Sequence, residues 1–62
     1  MKAKFKDATP GATLWIKDHG KWKAVTVTEV RPGGKGHKVA WTDTEGSPGK
    51  SALDTMYAQP KD

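Results

Sequence analysis

Turn-forming residues punctuate this chain at short intervals and leave room mainly for short strands between them. Pro10-Gly11, Asp18-His19-Gly20, Pro32-Gly33-Gly34-Lys35-Gly36 and Glu45-Gly46-Ser47-Pro48-Gly49 each carry a physical reason to turn. Proline presets φ, glycine takes positive φ at little cost, and aspartate or serine bonds its own backbone. The segments between them are rich in β-branched and aromatic residues, which suit a half-buried pleated surface. No helical period persists over a useful window, and no segment repeats. With 62 residues and no cysteine, the chain is at most one domain, with neither a disulfide nor a cysteine-built zinc site. A domain of this size buries only ~60% of the surface that its unfolded chain exposes, so every large apolar side chain matters.

Ala12 to Lys17 reads as the first strand, carrying Leu14, Trp15 and Ile16. Lys21 to Arg31 is a long second strand. Strict alternation puts Val25 and Val27 on one face but Val30 on the other, so a β-bulge near Thr28-Glu29 is expected. His37 to Thr42 is a third strand and Lys50 to Leu53 a fourth. Asp54-Thr55-Met56 fits a single 3₁₀ turn, and Tyr57-Ala58 can add a last strand before Pro60. The expected fold class is all-β: a small closed or nearly closed barrel of four to five short antiparallel strands. Closure would remove exposed strand edges. The expected core is Leu14, Ile16, Ala24, Val25, Val27, Val30, Val39, Leu53 and Met56, with some of the tryptophans. Inward Leu14 and Ile16 turn Trp15 outward, and an outward tryptophan asks for an explanation. Residues 1–10 read as a partly flexible basic N-terminal segment and residues 11–60 as the barrel domain.

This order resembles that of the Tudor type of SH3-like barrel. The resemblance runs through Gly11-Ala12-Thr13-Leu14-Trp15, Gly20-Lys21-Trp22-Lys23-Ala24, Thr28-Glu29-Val30, Val39-Ala40-Trp41-Thr42-Asp43, and Leu53 with Met56 before Pro60. It covers roughly residues 11–60. It implies an SH3-like barrel and, in that family, an aromatic cage for a methylated lysine or arginine held by cation–π attraction. Trp15, Trp22 and Trp41 fall at positions resembling three walls of that cage. The fourth wall falls at Thr44, which is not aromatic.

Catalytic chemistry finds little footing. Gly46-Ser47-Pro48-Gly49-Lys50-Ser51 ends like a phosphate-binding loop, but Thr44 stands where the leading glycine belongs, and no helix can follow. It reads as a turn. Gly33-Gly34-Lys35-Gly36 reads as a hairpin loop rather than a phosphate cradle. His19 and His37 sit in or beside turns, where exposure is expected, and nothing in their spacing builds a nucleophilic triad. Asp43 and Glu45 read as solvating a turn. The chain is expected to be no enzyme and to use no cofactor or metal. A homo-oligomer that assembles a catalytic pore is a third-ranked reading, and a monomer is favoured.

The formal charge is +4. Such an excess suits an anionic partner, although it is also ordinary for a soluble surface. Lys17, Lys21 and Lys23 flank the first hairpin, and Arg31, Lys35 and Lys38 flank the second. Interleaved with Trp15 and Trp22, they suggest a surface where phosphates meet cations and bases meet rings. The expected function is therefore non-enzymatic binding, first of nucleic acid with weak sequence selectivity. The candidate residues are Trp15, Lys17, Lys21, Trp22, Lys23, Arg31, Lys35, Lys38 and Trp41. The alternative is a protein-interaction module, a Tudor-like peptide binder or a factor docking on a larger assembly through its tryptophans. No apolar run exceeds three residues, so neither a membrane-spanning helix nor the apolar core of a signal peptide is expected. Lys2, Lys4 and Lys6 near the start look unlike a targeting sequence, and the expected location is the cytoplasm, or the nucleoid for a nucleic-acid binder.

Overall fold

The computed structural model describes residues 2–33 and 36–60. Among the described residues four antiparallel strands form one sheet in chain order: β1 (Thr13–Asp18), β2 (Lys21–Gly33), β3 (Gly36–Asp43) and β4 (Pro48–Ala52). Two 3₁₀ turns flank the sheet, at Phe5–Asp7 and Leu53–Thr55. The all-β class and a lone 3₁₀ turn after β4 are as the sequence indicates. Among the described residues no helix is long and apolar enough to cross a membrane.

The β1–β2 hairpin closes through two residues, with Asp18 opposite Lys21. His19 (φ 50°) and Gly20 (φ 79°) both take the left-handed conformation. That combination defines a type I′ turn, whose twist matches that of the flanking strands. Further along β2 the ladder to β3 slips between Val27 and Glu29. Thr28 is the extra residue, and its hydroxyl donates to the Ala40 carbonyl (3.1 Å). The bulge expected near Thr28-Glu29 is therefore present, and it returns Val30 to the side of the sheet that packs on the core.

The expected barrel does not close: the sheet is open, with β1 and β4 as its two edges. After β4 the chain is spent on the 3₁₀ turn, so one residue rather than a strand reaches β1. Tyr57 bridges Trp15 through two backbone bonds, each 2.8 Å, and also bridges Lys2. The free edge at β4 begins with Pro48. A proline at the first position of an edge strand withholds no ladder bond and discourages further pairing. Pro48-Gly49, read from sequence as turn, thus belongs to β4. Gly49 lies opposite Trp41. A methyl group there would run into the indole ring.

The core gathers on one face of the sheet. Leu14, Val25, Val27, Val39, Leu53 and Met56 are buried as expected, and Ile16, Val30 and Trp41 pack against them half-buried. Ala24 is half-buried but lies on the opposite face of the pleat, beside Trp15. Ala3 and Ala8 are also buried, so the N-terminal stretch contributes to the core. It is tied down by the Ala3 N–H, which donates to the Met56 carbonyl (2.9 Å).

Gly49→Ala is expected to destabilise the fold by about 1–3 kcal/mol, because the new methyl displaces a packed ring. Urea unfolding measures it, and an unchanged midpoint would show that Trp41 has room to move. His19→Val is expected to cost about 1–2 kcal/mol, although the His19 side chain faces water. A β-branched residue resists the left-handed conformation that this turn demands. The same urea titration reads the loss.

Candidate functional site

Strand pairing sorts the candidate residues by face, because residues directly opposite one another project to the same side. On β1 and β2, Trp15 stands opposite Ala24 and Lys17 opposite Trp22, all on the face away from the core. The Tyr57 bridge to Trp15 adds a third ring to this face. Trp22 and Tyr57 meet edge to face, with centroids 4.9 Å apart at 86°. Such a contact contributes about 0.5–1.5 kcal/mol beyond the area it buries. The Lys17 ammonium lies 5.4 Å from the Trp22 ring centre, and that of Lys2 lies 5.0 Å from Tyr57. Lys2 also donates to the Asp54 carbonyl (2.6 Å).

The bulge decides what shares this face farther along. Before it, Trp22, Ala24 and Thr26 point away from the core. After it, Glu29 and Arg31 do, opposite Ala40 and Lys38 respectively. Lys50 pairs with Ala40 and joins them. Arg31 Nε contacts Glu29 Oε1 at 3.1 Å. Arg31, Lys38 and Lys50 rim a cleft of about 230 Å³ that also includes Glu29, Pro32 and Ala40. Rings thus occupy the β1–β2 end of one face, and cations occupy the β2–β3–β4 end.

Trp41 and Lys23 lie on the other face. Trp41 stands opposite buried Val27, and Lys23 opposite Ile16. The Trp41 Nε1–H donates to Ser51 Oγ (3.1 Å), and the Lys23 ammonium sits 5.6 Å from the Trp41 ring centre. The three tryptophans therefore do not enclose a common space. Lys21 opposes Asp18 at the hairpin tip, away from Trp22. Lys35 lies outside the described residues, as does Gly34 of the same turn.

Asp43 organises the turn into β4. Its Oδ1 accepts from the backbone N–H groups of Glu45 and Ser47, both at 2.9 Å, and its Oδ2 pairs with Lys23 at 3.2 Å. The Ser47 N–H, then the Lys23 ammonium and the Glu45 N–H, hold this carboxyl below its ordinary value of 3.8, against the opposing effect of burial. These bonds make Asp43 a turn anchor.

Sequence reasoning missed several residues that line these surfaces. Tyr57, Lys2 and Lys50 join the outer face only through long-range pairing. His37, read from sequence as exposed, is half-buried in β3 and stacks on Phe5, with ring centres 4.5 Å apart. Among the described residues no group of three or more His, Asp or Glu side chains is placed to hold a metal ion. Comparison with protein-family models, with curated proteins and with solved structures returned no match.

The Asp43 anchor gives stability a pH dependence. The native carboxyl binds its proton less tightly than the unfolded chain does. Its contribution is complete above the unfolded value and is lost as pH falls through the lowered native one. The urea midpoint should therefore drop as pH is lowered through and below the ordinary aspartate range. In Asp43→Asn that component of the drop should vanish; an unchanged acid profile would remove Asp43 from this role.

Proposed function

We propose that this protein binds single-stranded nucleic acid with weak sequence selectivity through the face of the sheet turned away from its core. One observation carries the reading: the bulge at Thr28 brings Arg31 onto the face that also carries Lys38, Trp15, Trp22 and Tyr57. Every base has a π-face, so rings bind unpaired bases with little regard to sequence, at about 1–3 kcal/mol per stacked base. Cations along the same face meet the phosphates. Trp15, Trp22 and Tyr57 would stack bases. Lys17, Arg31, Lys38 and Lys50 would contact the backbone. The paired bases of a duplex offer no free face to these rings, which favours a single strand.

The alternative of a methylated-peptide cage loses its main support. It needs Trp15, Trp22 and Trp41 as walls of one enclosure, and Trp41 lies on the opposite face.

About four phosphate contacts predict a slope near −2.8 in log affinity against log salt, or about a 50-fold loss between 50 and 200 mM. A fluorescently labelled twelve-nucleotide oligothymidylate reads this by anisotropy, with indole NMR signals reporting location. Trp15 and Trp22 should shift while Trp41 stays still. Lys50→Glu should weaken binding to all base sequences alike and flatten the slope. Binding indifferent to salt, or outer-face indoles that do not move, would sink the proposal.

A further inference from the structure

Phe5 is 60% exposed, the one large apolar side chain so open among the described residues. It does not dangle. The Asp7 N–H donates to the Lys4 carbonyl (2.8 Å), the Ala8 N–H to the Phe5 carbonyl (3.1 Å), and the Lys4 N–H to Asp7 Oδ2 (2.9 Å). This 3₁₀ turn is anchored to the body at buried Ala3 and Ala8. The turn holds the Phe5 ring outward against His37, with an angle of 33° between the planes. A ring fixed this way serves no core, yet it keeps a cost in water.

Beside the pair opens a cavity of about 370 Å³. That volume lies in the range of small-molecule sites, roughly 300–1,000 Å³. Lys4 and Lys38 border it, together with Asp54 and the bare backbone of Gly33 and Gly36. Lys38 also borders the cleft formed with Arg31 and Lys50. Its side chain lies over Gly33, where an added Cβ would stand 3.2 Å from Lys38 Cγ. One lysine therefore joins an aromatic cavity to a cationic cleft. A flat ring and an anion, linked by a short polar spacer, match that sequence of environments. Asp54 can accept from a base N–H or a sugar hydroxyl at the wall.

We infer that this cavity takes one nucleotide unit, its base on the Phe5–His37 pair and its phosphate at Lys38. The unit comes either from the strand proposed to lie along the sheet face or from a free mononucleotide. The first source rests on the proposed function; the second does not.

The test follows Phe5 and His37 ring signals by NMR while thymidine monophosphate, thymidine or the twelve-nucleotide oligothymidylate is added, with Trp22 as the reporter for the sheet face. If the cavity serves the strand, the oligonucleotide moves His37 and Trp22 together. Phe5→Ala then weakens the oligonucleotide about tenfold, within the cost of one lost base–ring stack, while the Trp22 shift persists. Because Phe5 is exposed, that variant keeps the fold. If the cavity serves free nucleotides, thymidine monophosphate alone moves His37 and binds more tightly than thymidine, and Lys38→Gln erases that difference. Movement of His37 by the mononucleotide with Trp22 still under the oligonucleotide keeps the cavity assignment and overturns the strand. Movement of Trp22 with Phe5 and His37 unmoved, and parental affinity in Phe5→Ala, overturns the cavity and spares the strand. No movement of His37 or Trp22 with any ligand overturns both.

Discussion

The bulge at Thr28 is the constraint on which the rest of this molecule depends. Side chains alternate with a period of two, so a single extra residue exchanges the faces of everything beyond it. Without it Val30 would stand in water and the Arg31 guanidinium would face the apolar side. Burying a lone charge costs several kcal/mol even after relaxation, while an exposed valine forfeits about 1.5–3 kcal/mol of burial. The bulge resolves both at once, and Thr28 binds the Ala40 carbonyl where the ladder is interrupted. Stability and surface chemistry thus share one cause. The register that completes the core also puts Arg31 on the same face as Trp15 and Trp22.

An open four-stranded sheet leaves its apolar face to be covered by something else. Here the cover is short irregular chain: Ala3 and Ala8 from one end, Leu53 and Met56 from the other. The two alanines cover it with little more than backbone, and Leu53 and Met56 fill the larger space with their side chains. Met56 is fully buried, and its backbone carbonyl receives Ala3. The two ends of the chain therefore hold each other, and Lys2 reaches Asp54 and Tyr57 beside them. The proposed nucleotide cavity sits on this same seam, between the first 3₁₀ turn and the start of β3.

The three tryptophans divide by strand parity. Trp41 shares its side of β3 with Val39 and fills the space above Gly49, with its indole N–H satisfied by Ser51. Trp15 and Trp22 occupy the opposite side and meet Tyr57 and two lysines instead. One ring packs with the core, and the other two stand half-buried on the opposite face. Lys23 shows the same division: it neighbours Trp22 in sequence yet pairs with Asp43 on the core side.

Local chemistry alone determined the all-β class, the turn at His19-Gly20, the bulge and most of the core, because each depends on near neighbours or on a period of two. Leu14, Val25, Val27 and Val39 could be placed by alternation, and Trp15 could be turned outward by the same argument. Parity could even have separated Trp41 from Trp22, had the register across β2 and β3 been known. Tertiary structure decided the remainder. Whether the sheet closes depends on how many residues remain after the second 3₁₀ turn, and only Tyr57 reaches β1. That Ala3 and Ala8 are core, that Tyr57 and Lys2 join the ring cluster, and that Phe5 meets His37 all rest on contacts between distant parts of the chain. No local pattern encodes such contacts: an alanine in a lysine-rich stretch looks the same whether the sheet is above it or water is.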